Sequence, residues 1–196
     1  MTLQILNKLT ISRLINALFI ILIALMIFNP TAKALMIRGL MKVGLFQPDI
    51  SNNEGAGIDA SLPAVIFQKA DGQIVNLADQ KGKVVFINFW ATWCPPCIAE
   101  MPAISTLYQK VKNNNKIVFM AVDADGNFAR SSIFMSKNGY SLPLYKTNSD
   151  VPPQMFGSAL PTTIIFDKKG KMVFRHEGMA DFNNPKVLAY LLKLAK

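Results

Sequence analysis

The sequence predicts an α/β domain over residues 60–196, preceded by an apolar N-terminal segment. Two continuous apolar runs, Val84–Trp90 and Ile117–Val122, are short enough to be strands and have no polar face, as expected for strands covered on both sides. Between and after them lie stretches with helical spacing, separated by Asn, Gly and Pro clusters. The length of this region suits one core.

Strands are expected at 64–68 and 73–76, then the buried strand at 84–90. A helix over 95–112 follows, ended by Asn113-Asn114-Asn115. After the strand at 117–122, residues 127–138 read as a helix closing at Asn138-Gly139, with Ala129, Ile133 and Phe134 on one face. A loop containing Pro143, Pro152 and Pro153 leads to a strand at 162–167. The turn Asp167-Lys168-Lys169-Gly170 connects it to a strand at 171–176, and a helix at 185–195 completes the domain.

The only two cysteines of the 196 residues lie in Trp93-Cys94-Pro95-Pro96-Cys97, directly behind the first apolar run. The strand carries the pair to the edge of the sheet. Pro95 and Pro96 suit a first helical turn, where a missing N–H costs nothing and φ is already close to helical. Cys94 then sits near a helix N-cap, where free N–H groups and the positive dipole end favour thiolate over thiol. Cys97 lies one turn on, close enough to close and reopen a disulfide. A zinc site lacks ligands, because the chain adds only His176 to the two thiols. A purely structural bridge across so short a loop gains little loop-closure entropy.

The run Gly82–Pro102 resembles the membrane-tethered TlpA/ResA-type thiol:disulfide oxidoreductases of the thioredoxin superfamily, and the likeness extends over residues 60–196. It implies a thioredoxin-like fold with a central insertion, an extra helix and strand between Cys97 and Pro161. Leu160-Pro161-Thr162-Thr163 is similar to the family's cis-proline segment, which faces the cysteine pair. Substrate contacts are therefore expected at Trp93, Pro95, Pro96, Leu160 and Pro161. Pro102 sits where thioredoxin kinks its active-site helix.

Thioredoxin has a buried aspartate six residues before its first cysteine, and here that position is Asn88, which cannot take a proton. A carboxylate that assists Cys97 is better sought at Glu100, three residues further along the helix and on the same face. In the resembled family a glutamate there is tied to the redox site. The alternative is a solvent-facing glutamate that complements the helix dipole.

Upstream, Lys8 and Arg13 precede an uncharged run, Leu14–Phe28, that fits either a signal-peptide core or a short membrane span. Residues 1–34 are read as signal peptide or anchor, with Ala32-Lys33-Ala34 a candidate cleavage site and the uncleaved anchor favoured. Residues 35–59 form a juxtamembrane segment and linker. Within it, 35–46 either lies along the outer membrane face or is a poorly soluble join, and 48–60 reads as a flexible tether.

The net charge of +9 is concentrated near the expected membrane: residues 1–47 hold five basic and no acidic residues, leaving sixteen basic against twelve acidic beyond them. Lys168, Lys169, Lys171 and Arg175 fit a solvated hairpin, so nucleic-acid binding is not expected. Asp123-Ala124-Asp125-Gly126-Asn127 lacks the later acidic ligands of a calcium loop and reads as a strand-to-helix turn. His176 reads as a strand residue.

The reading is an extracytoplasmic enzyme, anchored on the periplasmic face of the cytoplasmic membrane or secreted if the signal is cleaved. It would reduce protein disulfides with Cys94 as nucleophile and Cys97 as resolving thiol, needing no cofactor beyond that redox-active pair and no metal. The resemblance implies apocytochrome c haem-site thiols or general periplasmic disulfides as substrates, and a membrane thiol-transfer protein as electron donor. The alternatives are a thiol peroxidase on the same fold and a non-catalytic binding module. A peroxidase would carry threonine three residues before its reactive cysteine, and Ala91 stands there.

Overall fold

The computed structural model describes residues 2–48, 62–157 and 159–196. The tether expected at 48–60 lies, apart from Pro48, outside the described residues.

Two helices come first, α1 (Thr2–Phe28) and α2 (Pro30–Lys42). They break at Asn29-Pro30, because a residue before proline is pushed out of the helical region and Asn29 is extended, with φ −103° and ψ 111°. Asn29 then caps α2 by accepting from the Thr31 and Ala32 N–H groups.

The α/β domain follows as β1 (Ile66–Lys69), β2 (Ile74–Asn76), a 3₁₀ turn (Leu77–Gln80), β3 (Val84–Trp90), α3 (Pro95–Val111) and β4 (Ile117–Asp123). It continues with α4 (Phe128–Lys137), β5 (Leu144–Thr147), β6 (Thr162–Phe166), β7 (Met172–Glu177) and α5 (Pro185–Ala195). The expected order of elements is present. Strand β5 lies in what reads from sequence as loop, so the central helix and strand between Cys97 and Pro161 are α4 and β5.

One sheet of order β2-β1-β5-β4-β3-β6-β7 holds all the strands, with β3, β4 and β5 parallel and the outer strands antiparallel. Because successive side chains alternate across a strand, β3 serves two cores. Val84, Phe86 and Trp90 join the cluster formed with α3 and α5. Val85, Ile87 and Phe89 join the opposite cluster, with Phe67, Leu77, Met120 and Phe166. The same alternation puts Asn88 under α3, and Thr163 beside it on β6.

Helix α4 turns differently from the expected face. Ile133 is 68 % exposed and Ala129 is also exposed, whereas Ser131 and Met135 are buried and Phe128 and Phe134 partly so. Both stripes have helical spacing, and the one carrying the larger aromatic and thioether groups faces inward.

Helix α2 packs against α3: Ala34 and Met41 form a small core with Ile98 and Ala99, joined by Ile37. The helical part of 35–46, read from sequence either as lying along the outer membrane face or as a poorly soluble join, shares a core with the domain. Among the described residues no single helix is long and apolar enough to cross a membrane. One bent pair, Ile11–Leu25 with Pro30–Met41 at 91°, passes by length and composition.

Candidate active site

Trp93-Cys94-Pro95-Pro96-Cys97 lies at the C-terminal end of β3, an interior strand, and so at the end of the sheet rather than along an edge strand. Cys94 is the N-cap of α3, with Pro95 and Pro96 in its first turn, and its sulfur accepts from the Cys97 N–H at 3.3 Å. The two sulfurs are joined in a disulfide, with Cα atoms 5.3 Å apart. Cys94 is 3 % exposed and Cys97 fully buried, so the difference in access lies in the expected direction but is small in the oxidised state.

Trp93 stands out from this buried pair. It is 56 % exposed, and its indole Nε1 donates to Asp125 Oδ2 at 2.7 Å. Asp125 sits in the turn after β4, which forms as expected: its N–H donates to Asp123 Oδ1 at 3.0 Å, and Asn127 caps α4 by accepting from the Arg130 N–H. Sequence reading treats that turn as a connection only. Nothing in its spacing shows that it reaches the tryptophan beside the cysteines.

The Leu160–Pro161 peptide bond is cis. Phe89 pairs with Thr162 in the ladder, which sets Pro161 at the start of β6 at the same end of the sheet as the cysteine pair. Pro161 is buried and its carbonyl accepts from the Gly178 N–H, while Leu160, Pro95 and Pro96 are partly exposed. Leu160, the two helix prolines and the more exposed Trp93 are therefore the accessible side chains among those expected to meet substrate.

Glu100 does not face solvent. One turn beyond Cys97 it points into the sheet and is completely buried. Asn88 Nδ2 donates to its Oε1 at 2.7 Å and to Thr163 Oγ1 at 2.9 Å, and the Ala180 N–H donates to Oε2 at 3.3 Å. Burial pushes the Glu100 pKa up from 4.5 to about 8, against the opposing pull of the Asn88 and Ala180 hydrogen bonds. A carboxyl with that value is largely protonated at neutral pH. The surface alternative for Glu100 is thereby removed. Asn88 is more than an unreactive replacement, since it fixes the carboxyl with its amide. Period-two alternation along β3 is the signal from which its facing α3 could have been read.

Comparison with known proteins gives the family. The Redoxin family matches residues 58–191. The thiol-disulfide oxidoreductase ResA of Bacillus thuringiensis (strain Al Hakam) is 33 % identical over 140 residues, covering 71 % of this chain and 80 % of that protein. ResA of Bacillus subtilis (strain 168) is 29 % identical over 130 residues, covering 66 % and 72 %. Among solved structures, a thiol:disulfide interchange protein DsbE from Chlorobium tepidum superposes with a TM-score of 0.58 at 23 % identity, covering 69 % of this chain and 96 % of that one, a likeness of fold. A thiol-disulfide oxidoreductase from Bacteroides vulgatus gives 0.56 at 27 % identity, covering 66 % and 90 %. With its cysteine pair on the helix end and the matching fold around it, the chain belongs to the Redoxin family and, within it, to the TlpA/ResA-like thiol:disulfide oxidoreductases.

Proposed function

We propose that this oxidoreductase works outside the cytoplasm, held to the membrane by its N-terminal helices, and runs as a reductase of protein disulfides. The observation that carries the chemistry is Glu100, a buried carboxyl with its pKa pushed up to about 8, one helical turn beyond Cys97. In the reduced enzyme the Cys94 thiolate attacks one sulfur of the substrate disulfide, forming a mixed disulfide and releasing the other substrate sulfur as a thiolate, which takes up a proton. Cys97 then attacks the Cys94 sulfur, its proton passing to Glu100 as Glu100 hands its own to the departing substrate sulfur, so the carboxyl acts as a relay and ends as it began. This frees the second substrate thiol and leaves the Cys94–Cys97 disulfide. Two electrons have passed to the substrate, and a membrane dithiol donor returns them by the reverse exchange.

Trp93, Leu160, Pro95 and Pro96 offer the exposed apolar surface on which a substrate chain rests, with Pro161 shaping the neighbouring backbone. The substrates proposed are the disulfide that forms between the haem-site cysteines of apocytochrome c, reduced to the thiols that haem attachment needs, and general periplasmic disulfides.

The anchor reading is supported by the apolar exposure of α1, where Leu14, Ile15, Leu18 and Phe19 are open, and by the outer face of α2, where Leu35, Met36 and Leu40 are exposed. Ala34, the last residue of the candidate cleavage site, is buried in α2 against α3, which supports retention over cleavage.

The test uses purified protein with insulin and hydroperoxide offered side by side. Reduction of insulin disulfides with negligible hydroperoxide consumption is expected, and the Cys97→Ser variant should hold substrates on Cys94 in non-reducing gels. Rapid hydroperoxide consumption would establish the peroxidase instead, inactivity toward both would favour the binding module, and trapping on Cys94→Ser would exchange the roles of the cysteines.

A further inference from the structure

Pro102 lies inside α3 and has no N–H, so the carbonyl of Ile98, one turn earlier, loses its ordinary helical donor. Ile98 is buried, which keeps water from serving instead. The missing donor comes from another helix. Arg38 Nη2, on α2, donates to the Ile98 carbonyl at 2.8 Å. A buried carbonyl left without a partner costs more than a made bond gains, so this contact binds α2 to α3 more firmly than its small apolar area alone does. The same guanidinium reaches Tyr140: burial pushes that hydroxyl's pKa up, and Arg38 pulls it down.

Beyond α2 the chain stays on the domain. The Phe46 carbonyl accepts from the Asp181 N–H at 2.9 Å, and Gln47 Oε1 accepts from Asn184 Nδ2. Phe46 has φ of 66°, a region that bulky residues seldom enter, so this turn is held in place by its contacts. Asp181 directly follows Ala180, whose N–H binds Glu100. Two routes thus run from the N-terminal helix to the redox site, one through Ile98 beside Cys97 and one through residues 180–181.

We propose that Arg38 is a positioning residue of the redox site: by capping the Ile98 carbonyl that Pro102 leaves free, it clamps α2 to the active-site helix and fixes both the turn carrying Cys97 and the backbone that holds Glu100. The N-terminal segment is then part of the redox unit. The functional half of this inference rests on the reading of Glu100 as proton relay.

The experiment uses full-length protein in detergent micelles, comparing Arg38→Ala, Arg38→Lys, Pro102→Ala, the Arg38→Ala/Pro102→Ala pair and Glu100→Gln. Hydrogen exchange reports docking, and the pH profile of thiol alkylation in the reduced enzyme reports Glu100. The groups that bond Glu100 among the described residues are Asn88 on β3 and the Ala180 amide, and Cys97 lies one turn earlier on its own helix.

Arg38→Ala should speed exchange in α2 and at residues 180–181 on the order of tenfold. It should also move the Glu100 inflection to lower pH, because water reaching the carboxyl relieves the burial that raises its pKa. Arg38→Lys, which keeps a charged donor, should recover most of both effects. Pro102→Ala gives the Ile98 carbonyl a backbone donor, so Arg38→Ala should matter less in that background. If Arg38→Ala alone fails to fold, rescue by the pair still supports the clamp, and failure of both variants overturns it. Wild-type exchange in Arg38→Ala, or an equal effect in both backgrounds, also overturns it. A profile unchanged by Glu100→Gln would instead remove the relay reading, with docking still judged by exchange alone.

Discussion

Asn88 on β3 and Glu100 on α3 meet across 2.7 Å, amide to carboxyl, in a part of the core where both side chains are fully buried. The amide supports the carboxylate and the surrounding apolar packing opposes it. Burial wins, and the carboxyl keeps its proton until about pH 8.

That balance makes stability depend on pH in a definite direction. Between the ordinary carboxyl value of 4.5 and about 8, the folded protein holds a proton on Glu100 that the unfolded chain has released. Stability contributed by this proton is complete below the lower value and falls as pH rises, by up to about 1.4 kcal/mol per pH unit, levelling off above the upper one. Denaturant midpoints of the oxidised protein from pH 5 to 9 should show this decline, and Glu100→Gln should flatten it. A decline that survives in the variant would place the responsible group elsewhere.

Asn88→Asp tests the same pair by adding charge. Two buried carboxyls so close cannot both ionise, so they should titrate together, with one apparent pKa above that of Glu100 in the parent. The variant should lose a few kcal/mol of stability at pH 9 and much less at pH 5, where both groups are protonated. Equal losses at the two pH values would mean that only packing was disturbed.

Residues such as Val84–Trp90 were readable because both faces of β3 are buried, which leaves Asn88 as the single polar residue of the run, and Pro95-Pro96 marked the start of α3 by conformation alone. Strand β5 was not readable: it is four residues long, follows Pro143 and contains Lys146 and Thr147, so it has neither length nor pattern. The burial of Glu100 was beyond local sequence too, because a glutamate one turn into a helix satisfies the dipole equally well from the surface. What decides is the tertiary arrangement of β3, β6 and residue 180 around it. Helix α2 combines a docked face with an apolar exposed face, and such a segment reads the same whether it meets protein or lipid.

The Trp93–Asp125 hydrogen bond joins an exposed ring beside the cysteines to the β4–α4 turn. A ring held in one orientation presents a defined surface to a substrate chain at less entropic cost than a free one. Asp125→Ala should weaken substrate binding, raising KM several-fold with kcat little changed, and should alter Trp93 fluorescence. Asp125→Asn, which keeps an acceptor, should restore most of the affinity. A fall in kcat at constant KM would place Asp125 in the chemistry rather than in orientation.

The proposed direction of electron flow rests on what surrounds Cys94. A strongly oxidising pair stabilises its reduced thiolate with extra donors or positive charge, and Pro95-Pro96 brings neither a charged side chain nor an N–H between the cysteines. The end of α3 is left as the stabilising influence there. The reduction potential should therefore lie on the reducing side of about −200 mV, between disulfide isomerase and thioredoxin. Outside the cytoplasm a pair with that potential is oxidised by its surroundings unless a membrane donor keeps refilling it. Acid trapping of thiols in growing cells should find Cys94 and Cys97 mostly reduced, and mostly oxidised when the donor is deleted. A pair oxidised in both strains, with a measured potential near about −120 mV, would make the protein an oxidase and reverse the proposed direction.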